Sequence, residues 1–258
     1  MTAPLFADSL GAELVLARGF DADSLGTFTR DVPRHGDQLE AARRKAEKGI
    51  ELLGVRCGVA SEGAFGPDPV GFFPWNTELV VLVDRARGIK VVGGAQGAAH
   101  PLHALVTTRD ALEAFARRAD FPAHGLVVLP DGQHDPRARK GLVEWTLLHA
   151  AFDEARARSG SGAVFVESDL RAHMNPTRME MIRKATTNLI ERMKSECPRC
   201  GTPGFWLVER IAGRPCRDCG STTNEARAER WHCAQGDHHE VRDLSPGTLG
   251  DPARCTSP

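Results

Sequence analysis

The cysteines of this chain are unevenly placed: six of the seven lie within the last 62 residues. Four of them form two C-x2-C pairs, separated by fifteen residues, at positions 197, 200, 216 and 219. This spacing is typical of a zinc site, because two tight turns bring four thiolates to the corners of one tetrahedron. Two disulfides would suit a small secreted domain, and the N-terminus lacks the features of a secretory signal. We therefore expect Cys197, Cys200, Cys216 and Cys219 to bind one zinc ion.

The predicted zinc is structural, because four protein ligands leave no coordination position for an activated water. Gly201 and Gly220 directly follow the two pairs and can adopt the positive φ that such turns favour. The apolar residues 205–208 between the pairs read as a strand. We expect residues 195–258 to form a zinc-ribbon domain with a loose C-terminal tail.

Two interpretations of the remaining C-terminal donors stay open. Cys233 and Cys255 could each begin a further pair, but Gly236 and Pro258 stand where the second cysteines would be. In one interpretation these segments supply a second zinc site, and in the other they are a loose tail with exposed histidines. The donors concerned are Cys233, Cys255, His232, His238 and His239.

The overall composition is that of a globular protein, with 41% hydrophobic and 26% charged residues. The net charge of -1 gives no general attraction for nucleic acid or an anionic membrane, so either partner would need a local patch. A continuous apolar run of about 18 residues, as a membrane-spanning helix requires, is absent from the sequence. We expect a soluble, cytoplasmic protein.

Helical and strand patterns alternate along residues 1–194 and predict an α/β domain with a layered mixed sheet flanked by helices. Apolar residues recur with helical spacing over 39–53, 109–119, 142–158 and 176–193, the last with Asn175 as its N-cap. Short apolar runs predict strands at 55–60, 78–83, 125–129 and 163–167. Residues 63–76 hold three glycines and three prolines, which predicts a loop.

Polar side chains gather in two stretches of the N-terminal half. Thr27 and Arg34 precede the helix that carries Glu40 and Lys45, and Glu62 directly follows a predicted strand. Ligands of α/β proteins bind outside the carboxyl ends of strands, so we expect these residues to meet there. Glu40 and Glu62 would share a magnesium ion as catalytic carboxylates, while Lys45, Arg34 and Thr27 bind phosphate. In the alternative interpretation, the helix presents a solvated face of i,i+4 ion pairs.

The segment E-A-A-R-R-K-A at 40–46 resembles the Glu-Asn-Ala-x-x-Lys-Ala helix of the inosine/xanthosine triphosphate pyrophosphatases. Further along the chain, A-S-E-G at 60–63 is similar to the Ala-Asp-Asp-Ser-Gly segment of those enzymes. The resemblance implies a pyrophosphatase-like hydrolase in which Glu40 and Glu62 hold magnesium and Lys45 binds phosphate. Ser61 and Ala41 replace two family residues, and the family's opening phosphate turn has no counterpart, so a fold without activity is also permitted.

A second candidate site is the junction at residues 168–178, between a predicted strand and the helix that follows Asn175. Free N–H groups at a helix start favour an anion, and Arg171 and Arg178 flank this start. A phosphorylated ligand would bind there. In the alternative interpretation, Asp169 pairs with one of the two arginines and no ligand is needed.

The chain as a whole resembles an uncharacterised bacterial family of unknown function with a C-terminal zinc ribbon. The resemblance is carried by L-G-T-F-T at 25–29, A-S-E-G-A-F-G-P at 60–67, the segment 168–179 and the terminal cysteine pairs. It implies no particular activity.

Two functions therefore remain open. In the first, a protein with a structural zinc ribbon binds or hydrolyses a nucleotide or another phosphorylated small molecule with magnesium. In the second, a non-enzymatic binding module contacts nucleic acid or a protein through its ribbon, with Trp206 and Trp231 stacking on bases. Residues 190–258 contain ten basic and ten acidic side chains, so the ribbon has no electrostatic bias toward phosphate.

Overall fold

The computed structural model describes residues 2–19, 37–68 and 70–257. The helices are α1 (Thr2–Leu10), α2 (Gln38–Leu53), α3 (Arg109–Arg118), α4 (Trp145–Arg158) and α5 (Pro176–Lys194). The strands are β1 (Cys57–Pro67), β2 (Pro74–Asp84), β3 (Ile89–Ala98), β4 (His103–Val106), β5 (Leu126–Leu129), β6 (Arg139–Leu142), β7 (Val164–Ser168), β8 (Trp206–Ala212), β9 (Ala226–His232) and β10 (His239–Asp243). The α/β class is confirmed.

The strands of the described residues form three separate sheets instead of one mixed sheet. The strand orders are β1-β2-β3, β4-β7-β5-β6 and β10-β9-β8, and all pairings between these strands are antiparallel. Short hairpin connections explain the first sheet and the β9–β10 pair of the third, because a parallel pair would require a long crossover. None of the helices in the described ranges is long and apolar enough to cross a membrane.

The first sheet is covered on both faces. Val81 and Val83 of β2 pack with α2, while Val80 and Leu82 pack with α1 and α5. Successive side chains of a strand point to opposite faces, so the apolar run predicted at 78–83 supplies both layers. At Gly93 of β3, a Cβ atom would lie 2.3 Å from the carbonyl oxygen of Ala185 on α5, so glycine permits this close packing.

The predicted loop at 63–76 is wrong at both ends, because β1 continues to Pro67 and β2 begins at Pro74, so that only the segment between them connects the strands. The prolines are tolerated because Pro67 and Pro74 stand beside the turn of the β1–β2 hairpin, where Pro67 ends an edge strand and Pro74 is the first residue of β2. Glu62 therefore lies within a strand, opposite Leu79, and not at a strand end.

The second sheet packs with α3 and α4 around a separate apolar core, which includes Leu112, Phe115, Leu148 and Phe152. Helix α5 packs on the first sheet and leads toward the C-terminal segment. Its start agrees with the sequence prediction, since the Asn175 side chain accepts a hydrogen bond from the N–H of Arg178.

The third sheet lies against the end of α5 and the first sheet. The Gly204 N–H donates to the carbonyl oxygen of Arg192 at 3.1 Å. The Gln235 side-chain amide donates to the carbonyl oxygen of Arg87, in the β2–β3 turn, at 2.8 Å. These contacts join the cysteine-rich segment to the rest of the protein.

Candidate functional site

Three loops of the C-terminal region share one backbone hydrogen bond. In each loop the N–H of a cysteine donates to the carbonyl oxygen five residues later, at 2.9, 2.7 and 2.9 Å; the pairs are Cys197 with Thr202, Cys216 with Ser221, and Cys233 with His238. Gly201 and Gly220 have φ values of 68° and 73°, as the sequence predicted. The bond closes each loop into a tight turn around its cysteine.

The first cysteine cluster, called proximal because it adjoins α5, consists of Cys197, Cys200 and Cys233. Their sulfur atoms all lie within 4.8 Å of one another. The Sγ atoms of Cys200 and Cys233 are 3.6 Å apart. Thiolates placed tetrahedrally at ~2.3 Å from zinc are about 3.8 Å apart, whereas a disulfide needs about 2.05 Å. Phe205 packs against Cys197 and Cys233, both of which are buried. The spacing is that of metal ligands.

The second cluster, called distal, consists of Cys216, Cys219 and Cys255, again with all sulfur atoms within 4.8 Å of one another. The Sγ atoms of Cys219 and Cys255 are 3.5 Å apart. Isolated β-bridges between Cys216 and Gly250, and between Thr223 and Cys255, bring the chain segments together. Cys216 is buried, Cys255 is half-buried and Cys219 is exposed.

The structure thus divides the four predicted ligands between two clusters, and the single four-thiolate arrangement is corrected. The reason is strand geometry. One C-x2-C pair precedes β8 and the other follows it, and a seven-residue strand rises about 20 Å. Each pair instead meets a later cysteine. Cys233 follows β9 at the end where Trp206 pairs with His232, and Cys255 is brought to the other end by its bridge with Thr223. Whether these cysteines bind metal stays a prediction.

The thiols of the proximal cluster differ in acidity. The hydrogen bond with the Thr202 side chain lowers the pKa of Cys200 to about 7, while burial raises the pKa of Cys197. In the distal cluster, the hydrogen bond with the Ser221 side chain lowers the pKa of Cys219 to about 7. Each cluster therefore contains one thiol that is readily converted to the thiolate, the form that binds metal.

A second group of candidate residues lies where β1 and β2 meet α2 and α5. The Lys45 ammonium donates to Glu62 Oε2 at 2.6 Å. Arg178 donates to both carboxylate oxygens of Glu78, at 2.6 and 3.1 Å, and both side chains are almost fully buried. Gly63 allows this approach, since a Cβ there would lie 2.2 Å from Arg178 Nη2.

Four of the predicted residues line one cavity of about 1230 Å³: Lys45, Glu62, Arg171 and Arg178. Residues that the sequence prediction grouped thus meet at one cavity, although they come from α2, β1, α5 and the segment before α5. Arg171 donates to Asp169 at 2.6 Å, as the alternative interpretation of this junction expected. Thr27 and Arg34 lie outside the described residues.

Glu40 and Glu62 are engaged by different cations. Glu40 accepts hydrogen bonds from Arg43 and Arg44, at 2.7 and 2.8 Å, which lower the pKa of Glu40 to about 2. This is the helical ion-pair face of the alternative interpretation. Among the described residues, neither carboxylate belongs to a group of three or more potential metal ligands. The predicted magnesium site has no support here.

Comparison with known families gives one match. The family model described as "Domain of unknown function (DUF6671)" matches residues 45–248. The chain belongs to this family. No curated protein and no solved structure matches the chain. The predicted membership of an uncharacterised family is confirmed, and the resemblance to the inosine/xanthosine triphosphate pyrophosphatases is not.

The DUF6671 match contains the complete proximal cluster and the cavity residues Lys45, Glu62, Arg171 and Arg178. Sequence reasoning left Cys233 as an open alternative and did not name Glu78 as a partner of Arg178. The sequence signal for Cys233 was only that it could begin a further pair, and the structure places it directly after β9, beside the first C-x2-C pair. No comparable signal existed for Glu78, which lies 100 residues before Arg178.

The two tryptophans of the DUF6671 chain's third sheet are adjacent, with ring centroids 5.4 Å apart. The Arg192 guanidinium lies 5.4 Å from the Trp206 ring centroid, and that of Arg242 lies 4.3 Å from a Trp231 ring centroid. These cation–π contacts engage the rings within the protein. Binding of nucleic acid or a protein by this sheet stays a prediction.

Proposed function

We propose that this protein binds two zinc ions, one in the proximal and one in the distal cysteine cluster, and that both ions stabilise the fold of the third sheet. The observation that supports the proposal is the pair of cysteine triads, each with its three sulfur atoms within 4.8 Å of one another. Thiolates are soft ligands, and zinc is the common tetrahedral ion that they hold.

The third sheet needs such ions because it buries little apolar surface. The apolar cluster of this sheet consists of Cys197, Phe205 and Cys233, with Trp231 packed beside it. A sheet with so small a core is marginal alone, and metal binding supplies folding free energy directly. The zinc ions would fix the ends of the β8–β9 hairpin.

Elemental analysis of the full chain, purified without added metal, tests this proposal. We expect two zinc ions per chain. A Cys57→Ala variant is the matched control, because Cys57 lies on β1 outside both clusters, and it should retain both ions. Absence of zinc, or disulfides among the clustered cysteines of protein purified without reductant, would refute the proposal.

A second candidate function is the binding of a phosphorylated small molecule, including a nucleotide, in the cavity. The observation that favours it is the meeting of Lys45, Arg171 and Arg178 on one cavity wall. Glu62, Glu78 and Asp169 pair with these cations, so the cluster is neutral as a whole. A ligand phosphate would therefore exchange with a carboxylate partner, and Lys45, which is partly exposed, is the cation best placed for it.

Calorimetric titration with nucleoside mono- and triphosphates, with and without magnesium, tests the second candidate. Lys45→Met should weaken binding, whereas Lys48→Met should not, because Lys48 pairs with Glu51 and does not line the cavity. Release of phosphate or pyrophosphate would extend the proposal to hydrolysis. No binding by a correctly folded protein would remove this candidate.

A further inference from the structure

The loop at residues 233–238 has the fold of the two C-x2-C loops but only one cysteine. Its backbone hydrogen bond, from the Cys233 N–H to the His238 carbonyl oxygen, is equivalent to those that close the other two loops. In those loops the fourth residue is Cys200 or Cys219. In this loop the equivalent position is Gly236, which carries no ligand.

The surroundings of Gly236 are those of a ligand position. Its N–H points to Cys233 Sγ, at 3.4 Å, as expected in a loop that wraps around a thiolate. The residue is exposed, and a Cβ atom built on it would meet nothing within 4 Å. Its φ lies outside the left-handed region, so a side chain could stand there without backbone strain.

No other potential ligand of the described residues completes the proximal cluster. The proximal cluster contains Cys197, Cys200 and Cys233, and no histidine or carboxylate donor of the described residues joins them within 4.8 Å. His238 is the nearest candidate along the chain, but its ring stacks on Phe205; its buried Nε2 atom makes no hydrogen bond and lies 3.5 Å from Glu240. Three thiolates leave a tetrahedral zinc ion with one position to fill.

We propose that the proximal zinc ion is held by three thiolates and that its fourth position, on the exposed side at Gly236, is exchangeable. Water occupies this position until a soft ligand, a small thiol, replaces it. The thiol sulfur bonds to zinc as its proton goes to solvent, and the water molecule leaves. The inference rests on the proposed zinc binding, and it adds a ligand class that a closed structural site would not accept.

Cobalt(II) substitution of the full-length protein tests the inference, because thiolate-to-cobalt charge transfer reports the number of sulfur ligands. On addition of 2-mercaptoethanol, the charge-transfer intensity of the proximal centre should rise by about one third, as four thiolates replace three. The distal cluster also contributes to the charge-transfer intensity, and substitutions at Gly236 should leave that contribution unchanged.

Gly236→Cys is the decisive variant, and Gly236→Ala is its matched control. Gly236→Cys should show the higher charge-transfer intensity without added thiol, and it should lose the proximal response to thiol. It should also retain proximal metal at about tenfold higher chelator concentration, since a fourth protein thiolate closes the site. Gly236→Ala should respond as the unchanged protein does.

The outcomes separate this inference from the proposed function. If no metal binds, both fail. If two metal ions bind but Gly236→Cys and Gly236→Ala respond equally to thiol, the zinc proposal stands and the exchangeable position is refuted. A thiol response that appears only in His238→Ala would also refute it, by showing that His238 is the fourth ligand.

Discussion

Two parts of the molecule achieve stability by different means: the helical part, which contains α1–α5 and the first two sheets, and the cysteine-rich third sheet. The core around α3 and α4 contains fifteen buried apolar residues, so burial alone is a sufficient driving force there. The cluster beneath the third sheet contains three buried residues, two of them cysteines. The difference supports the proposal that the third sheet depends on metal ions, whereas the first part folds around apolar side chains.

The two cysteine clusters repeat this contrast on a smaller scale. The proximal cluster packs against Phe205, and the adjacent Gln235 bonds to the β2–β3 turn. The distal cluster lies at the other end of the β8–β9 hairpin, where backbone bonds such as Gly250 N–H to the Pro215 carbonyl oxygen join its segments. The distal cluster should therefore depend more completely on its metal.

Metal removal should give the largest difference between the two parts. Chelation under reducing conditions should abolish hydrogen-exchange protection in β8, β9 and β10 while leaving β2, β5 and α5 protected. The physical reason is that zinc supplies the folding free energy of the third sheet. Hydrogen exchange with mass spectrometry measures this region by region.

Re-addition of zinc provides the control, because it should restore protection in the same strands. The distal segments, residues 213–225 and 250–257, should lose protection at a lower chelator concentration than the proximal loop. Full protection of all three strands in metal-free protein would show that the sheet is stable without metal.

The opposite test destabilises the helical part and leaves the metal in place. Arg178→Met leaves the Glu78 carboxylate buried without its guanidinium partner, which should lower the free energy of unfolding by about 4 kcal/mol. Urea denaturation measures the change, and the zinc content should stay at two per chain. Arg183→Met, on the exposed face of the same helix, should change stability by less than about 0.5 kcal/mol. Loss of zinc in Arg178→Met would show that the two parts do not fold independently.

Phe205→Ala tests the small core that distinguishes the proximal from the distal cluster. Phe205 is fully buried, so its truncation should destabilise the third sheet by about 3 kcal/mol. Proximal zinc should then be lost to a chelator before distal zinc, in reversal of the order expected for the unchanged protein. Val208→Ala, at an exposed position of β8, is the control and should leave the order unchanged. An unaltered order in Phe205→Ala would mean that the aromatic core does not support the proximal site.

The smallest predicted effect concerns thiol reactivity in the metal-free, reduced protein. In the folded sheet, contacts with Thr202 and Ser221 lower the pKa of Cys200 and Cys219 to about 7, and burial raises the pKa of Cys197. These contacts should be lost when chelation unfolds the sheet, so the three thiols should then be alkylated at similar rates. Peptide mapping after iodoacetamide treatment measures each rate. Faster alkylation of Cys200 and Cys219 than of Cys197 would show that the folded contacts persist without metal.

Local signals predicted much of the fold. The cap and first turn of α5 were read correctly, because Asn175 and Pro176 act within a few residues of their own position. Residues 63–76 were read incorrectly, because glycines and prolines that indicate a loop also occur at the end of an edge hairpin. The tertiary arrangement decided between the two possibilities.

The candidate sites show the same limit. The C-x2-C pairs identified four of the six clustered cysteines. The partner of the first pair depends on the register of β8 with β9, and the partner of the second depends on the bridge between Thr223 and Cys255. That register includes two irregularities, at Leu207/Glu209 and at Ile211/Ala212, which residue patterns do not reveal. The partner of Arg178 was likewise missed, because the sequence offered only the nearby Asp169 and gave no signal for Glu78, 100 residues earlier.

The central claim is that two separate clusters, each completed by a distant cysteine, bind one zinc ion each. Native mass spectrometry of Cys233→Ser and Cys255→Ser tests it most directly, because these two residues distinguish the two-cluster arrangement from a single site formed by the C-x2-C pairs. We predict that each variant loses one zinc ion and retains the other. Retention of the full zinc content by both variants would contradict the account.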